Sequence, residues 1–157
     1  MVVTSDLEIT YDKDNQVSTV KFSEVVPAGF KAQLKLTFTG ILNDNIAGFY
    51  RSSYRGADGE TKYRASTQMA PTDARRAFPC FDEPAFMAKF TVTLIANKGL
   101  MCLSNMDIAS ETEVLDGKKK AVTFYTSPLM STYLVAFIVS DLKYIETKNF
   151  RVPSVSM

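Results

Sequence analysis

Apolar and polar residues alternate with a period of two through most of this chain, and that period commits it to β-structure. Successive side chains of a strand point to opposite faces, so alternation gives one face for a core and one for water. Leu7-Glu8-Ile9-Thr10-Tyr11 alternates, Asp12 to Asn15 supplies turn chemistry, and Val17 to Phe22 returns as a partner strand. Pro27-Ala28-Gly29 breaks the pattern. Ala32 to Thr39 then reads as a half-buried strand, with Leu34, Leu36 and Phe38 on one face and Gln33, Lys35 and Thr37 on the other. Phe49 to Arg55 and Thr61 to Thr67 flank Gly56-Ala57-Asp58-Gly59, a hairpin whose Asp-Gly pair tolerates the positive φ of a tight reversal. Tyr50, Tyr54 and Tyr63 suit cross-strand pairing there.

Strands resume at Ala88 to Ala96, with Phe90, Val92 and Leu94 on one face. Met101 to Asn105 and Ile108 to Leu115 follow, Asp116-Gly117 turns the chain, and Ala121 to Thr126 returns. The run from Tyr133 to Val139 is almost wholly apolar, the signature of a strand buried on both faces. Lys143 to Thr147 closes the series. Pro71 to Pro84 differs, with three prolines and no sustained alternation. Pro71 suits a first helical position, Thr72 to Ala77 fits one or two turns of helix, and Pro79 and Pro84 forbid its continuation. A compact loop carrying Asp73, Arg75, Arg76, Asp82 and Glu83 is where a scaffold places function. The whole reads as all-β with one short helical loop, in a single domain over residues 1–157.

Composition removes several classes of function. The net charge is +1 and the basic residues are scattered, which leaves no nucleic-acid footprint. Lys118-Lys119-Lys120 follows a turn and reads as a solvated hairpin arm. No stretch reaches the roughly 20 apolar residues that span a bilayer, and the first residues lack the basic and apolar regions of a signal peptide. Cys80 and Cys102 make no disulfide framework and read as free thiols in a reducing, cytoplasmic compartment. There is no histidine, no Gly-rich phosphate loop and no G-x-S-x-G. Neither a Cys–His pair nor a histidine-bearing metal site can be assembled, so no catalytic residue and no metal ligand is expected, and no cofactor in this chain.

The segment from Thr67-Gln68 to Asp82-Glu83-Pro84 closely resembles the TQ-x-x-x-x-DARRAFPCFDEP stretch of the zinc aminopeptidases of the alanyl and puromycin-sensitive type. Gly48 to Tyr54 (GFYRSSY), Leu103 to Met106 (LSNM) and Pro128 to Phe137 (PLMSTYLVAF) resemble further segments of that family, in the same order. The resemblance covers roughly residues 30 to 150. It implies a saddle-like antiparallel β-domain, preceding a catalytic domain in which zinc activates water for removal of N-terminal residues from peptides. It also implies that the first strands of that domain and the zinc-binding part lie outside this chain. Missing strands predict reduced stability and self-association through exposed strand edges.

The same resemblance gives roles to residues. Gln68 matches the glutamine that lines the pocket for the substrate's first side chain, where a carboxamide can both donate and accept. Ala70 occupies a position that holds Glu or Gln in relatives, where a carboxylate helps hold the substrate's α-ammonium. Alanine cannot do this, and losing a desolvated charge partner typically costs about 2–5 kcal/mol. Asp73, Arg75, Arg76, Asp82 and Glu83 are expected to structure the loop through guanidinium–carboxylate pairs. Cys80, between Pro79 and Phe81, reads as a small buried residue, and Phe78, Phe81 and Phe86 as packing residues. The expected partner is a peptide substrate held together with a catalytic domain. The competing expectation is a non-catalytic module that binds protein or peptide.

Overall fold

The computed structural model describes residues 7–22 and 24–142, and within them the chain divides into two compact units that meet at Thr39 and Gly40. The fold is all-β, built from antiparallel sheets, with no long helix among the described residues. Among the described residues the first unit holds one hairpin, β1 (Glu8–Asp12) and β2 (Val17–Lys21), paired from Glu8 opposite Lys21 to Asp12 opposite Val17. Its turn is closed by Asp12, whose carboxylate accepts from the Asn15 N–H at 3.0 Å and the Asn15 amide at 2.8 Å.

Ala32 to Thr39 corrects the sequence reading. The segment forms no ladder among the described residues, and Leu34, Leu36 and Phe38 are 50%, 40% and 53% exposed. Alternation records which face a strand could bury. It does not supply the neighbour that would make it a strand. The closing strand expected at Lys143 to Thr147 lies outside the described residues.

The second unit contains two main sheets. In chain order its strands are β3 (Gly48–Arg55), β4 (Thr61–Gln68), β5 (Met87–Ala88), β6 (Thr93–Asn97), β7 (Met101–Ser104), β8 (Ile108–Val114), β9 (Lys119–Phe124), β10 (Met130–Ser131) and β11 (Phe137–Ser140). One sheet runs β3-β4-β11-β7, the other β6-β9-β8, and β10 pairs with β5. The β3–β4 hairpin forms as its turn chemistry requires, with Gly59 at φ 79°. Its aromatic pairing is different from that expected. Tyr63 stands opposite Ser53 and receives the Arg51 guanidinium on its ring at 4.8 Å, while Tyr50 and Tyr54 belong to the other face. Tyr54 instead donates to the Asp141 carboxylate, which lowers the pKa of Asp141 and raises that of Tyr54.

The apolar run from Tyr133 to Val139 is not one strand. Thr132–Leu134 is a 3-10 turn that leaves Leu134 48% exposed, and β11 begins at Phe137. The strand part lies between β4 and β7, but Phe137, Ile138 and Val139 are only half-buried, so it is not the strand buried on both faces that the apolar run suggests. The basic run also differs. Lys119 and Lys120 are already in β9, and the Lys120 side chain is only 15% exposed, with its ammonium 3.3 Å from Glu111.

Two apolar clusters hold this unit. Ala96, Cys102, Val122 and Phe124 form one, with Leu94 and Val139 packed on it, so residues of both main sheets meet face to face. Phe90, Val92 and Leu94 are half-buried as expected, but the strand expected over Ala88 to Ala96 is interrupted, since β5 ends at Ala88 and β6 begins at Thr93. Met69, Ala74 and Val135 form the other, beneath the loop that follows β4.

Candidate functional site

β4 ends at Gln68, and the next residue decides what the chain presents. Met69 is 3% exposed and sits in the cluster with Ala74 and Val135. With that side chain inside, Gln68 and Ala70 on either side of it are exposed. The Ala70–Pro71 peptide bond is cis. The helical stretch is shorter than expected and starts later. It is a 3-10 turn over Ala74–Arg76, with Asp73 rather than Pro71 at its entry. The Asp73 N–H donates to the Met69 carbonyl at 2.8 Å, tying the turn to the end of β4.

The charged residues of the loop fall into two pairs of different depth. Asp82 is buried, and its Oδ2 accepts both the backbone N–H and the Nε of Arg75 at 3.0 Å. The same guanidinium donates through Nη2 to the Asp82 carbonyl at 3.1 Å, so one arginine grips both the side chain and the backbone across seven residues. Arg76 donates from Nε to Asp73 at 2.6 Å, a nearer-surface pair within one turn. Glu83 is exposed, and its carboxylate makes no ion pair among the described residues. Its carbonyl accepts from the Phe86 N–H at 3.0 Å.

Sequence reasoning missed the hydroxyls and amide that hold the far side of this loop. Ser131 donates to the Pro84 carbonyl at 2.6 Å, and Thr132 to the Phe81 carbonyl at 3.0 Å. Both residues are buried. Asn105 accepts from the Ala136 N–H and donates to the Leu134 carbonyl, each at 2.8 Å, bracketing the 3-10 turn that carries Thr132. A Ser-Thr pair next to a strand and an Asn after one give no periodic signal. Only their partners reveal them.

An apolar groove of about 220 Å³ opens beside the loop, lined by Phe78, Cys80, Phe81, Phe86, Phe90 and Thr132 among others. Gln68 and Ala70 do not line it. The Cys80 thiol is half-buried there. Burial, with the Asp82 carboxylate adding to it, pushes its pKa up to about 11, so it is a protonated packing group near neutral pH. Cys102 is buried in the other cluster, and burial raises its pKa also. The described residues do not fit a zinc site. No group of three or more Cys, Asp or Glu side chains is placed to hold a metal ion, and the sequence has no histidine.

The Peptidase M1 N-terminal domain matches residues 3–134, which include β4, the whole loop and the Ser131–Thr132 latch. The chain belongs to this family. Among similar proteins, Aminopeptidase 2 of Candida albicans is 59% identical over 146 residues, 93% of this chain and 16% of its own length. Puromycin-sensitive aminopeptidase of Caenorhabditis elegans is 50% identical over 146 residues, 93% of this chain and 15% of its own length. Aminopeptidase 2, mitochondrial, of Saccharomyces cerevisiae is 57% identical over 154 residues and again 16% covered. The chain thus spans about one-sixth of the length of these relatives. No helix among the described residues is long and apolar enough to cross a membrane.

Proposed function

We propose that this M1 N-terminal domain serves aminopeptidase chemistry as the surface that meets the amino end of a peptide, and that it does not hydrolyse peptides by itself. The observation that carries the reading is the buried Met69. It anchors the end of β4 and leaves Gln68 and Ala70 exposed beside a loop braced at Arg75 and Asp82. A recognition surface gains from such bracing, because a contact group held in place costs less entropy when substrate arrives. Zinc and the water it activates belong, in this reading, to the part of an M1 aminopeptidase that this chain does not contain. Ala70 gives no carboxylate to a substrate ammonium, so this version binds an amino terminus weakly. Two unpaired thiols suit a reducing compartment, for which we propose the cytoplasm.

The test is hydrolysis of an alanyl or leucyl chromogenic amide by the purified chain with added zinc. The expected result is no turnover above background. Chelator-sensitive turnover that follows the chain through purification would sink the proposal. The apolar groove favours a second reading, a module that binds protein or peptide without catalysis. A titration followed by amide chemical shifts separates the two. A peptide with a free amino end should perturb Gln68 to Ala70 in the first reading, and Phe81 to Phe90 in the second.

A further inference from the structure

Residues Phe30 to Phe38 form an apolar row that is its own complement when the chain is reversed. Phe30, Ala32, Leu34, Leu36 and Phe38 occupy the even positions, and Lys31, Gln33, Lys35 and Thr37 the odd ones. All nine are exposed and none is in a ladder among the described residues. Phe30 is 55% exposed, and Leu34 and Phe38 are close to that value. We propose that this segment pairs antiparallel with the same segment of a second copy, with Leu34 opposite Leu34 on the two-fold axis.

Three observations select that partner and that register. A two-fold antiparallel pair places position i opposite 68 − i, which keeps apolar on apolar and polar on polar. Phe30 then meets Phe38 at both ends, an aromatic cross-strand pair made twice, and Ala32 meets Leu36. Lys31 faces Thr37 and Lys35 faces Gln33, so no lysine stands opposite a lysine. An in-register parallel pair would set Lys31 on Lys31 and Lys35 on Lys35, and an antiparallel pair centred one residue later would set Lys35 on Lys35. Both place like charges together. The Phe30 N–H already donates to the Pro27 carbonyl at 3.1 Å, so Phe30 cannot be in a hydrogen-bonded pair of the new ladder. All even positions are then the close, non-hydrogen-bonded pairs, with Cα atoms about 4.5 Å apart, where large apolar side chains touch best. A nine-residue ladder buries less than the roughly 1,200 Å² of a standard stable interface, so the association is weak and concentration-dependent.

The experiment uses the full chain. Light scattering across a concentration series should show the 17.5 kDa mass rising towards twice that value. Leu34→Lys, which places two ammonium groups on the axis, should return it to the monomer mass with an unchanged circular dichroism spectrum. Register is read by mild oxidation of single-cysteine additions. Leu34→Cys should form a disulfide-linked dimer, because its two copies sit opposite each other at bridging distance. Leu36→Cys, whose copies lie four residues apart along the ladder, should not. A monomer at every concentration, a dimer indifferent to Leu34→Lys, or crosslinking by Leu36→Cys in place of Leu34→Cys would each overturn the proposal.

Discussion

Asp82 and Asp73 show why a charge in this loop must be judged by its depth. The Asp82 side chain is 4% exposed and satisfies three donors of Arg75 with its carboxylate and carbonyl, whereas the Arg76 side chain is 49% exposed. Asp82→Ala strands the Arg75 backbone N–H and leaves its guanidinium only the carbonyl of residue 82, and should lower unfolding free energy by about 3 kcal/mol. Arg76→Ala removes a solvated pair and should cost less than about 1 kcal/mol. Urea denaturation of the two variants checks this, and equal costs would show that Arg75 and Asp82 do not brace the loop. Cys80 gives the pH-dependent counterpart. Its folded pKa of about 11 lies above the 9.0 of an unperturbed thiol, so folding favours the neutral form. The stability this represents is complete below pH 9 and is lost as pH rises from 9 to 11. At pH 8 the thiolate should be about 100-fold scarcer than in the unfolded chain, and alkylation of Cys80 slower in proportion. Alkylation as fast in the folded chain as in urea would contradict it.

The 3-10 turn over Ala74–Arg76 owes its place to the first residue of β3. Gly48 has φ 69°, and a Cβ there would meet Arg76 Cβ at 2.6 Å and the Asp73 carbonyl at 3.1 Å. Gly48→Ala therefore combines a left-handed backbone with a clash against the turn, and should cost more than about 2 kcal/mol. It should also disturb the Arg76–Asp73 pair, visible as shifts in the amide resonances of residues 73–77. A variant as stable as the parent would remove the argument. The sequence made the β3–β4 hairpin, the β8–β9 turn and the inward row of Phe90, Val92 and Leu94 legible, because each is set by residues next to one another. It misjudged Ala32 to Thr39 and Tyr133 to Val139, where the outcome depends on a neighbour. A strand needs an edge to join, and Leu134 is turned outward by the Asn105 bracket that no periodicity announces. At the site, the Arg75–Asp82 partnership followed from charge and proximity. The Ser131 and Thr132 latches did not, since they lie 47 and 51 residues from the carbonyls they hold.

Across the described residues burial is unevenly distributed, and the exposed stretch runs across the boundary at Thr39 and Gly40. Every residue of both buried clusters lies at Met69 or beyond, while residues 24–42 are exposed and form no ladder among the described residues. Exposed chain without backbone pairing is where proteases cut first, because it fits their clefts without unfolding. Lys31 and Lys35 lie in this stretch and are exposed. Dilute chain treated briefly with trypsin should be cleaved after these two lysines before Arg55 or Lys62 in the β3–β4 hairpin. The product that begins at Ala32 or Leu36 should keep the β-type circular dichroism and melting transition of the intact chain, because the sheets of the second unit are untouched. The same lysines sit inside the proposed two-fold ladder, so raising the protein concentration should slow their cleavage. Leu34→Lys should abolish that protection, leaving a cleavage rate constant that does not change with concentration. First cuts within the β3–β4 hairpin would refute this order of cleavage. Cuts at Lys31 and Lys35 at one unvarying rate would keep that order and remove the dimer.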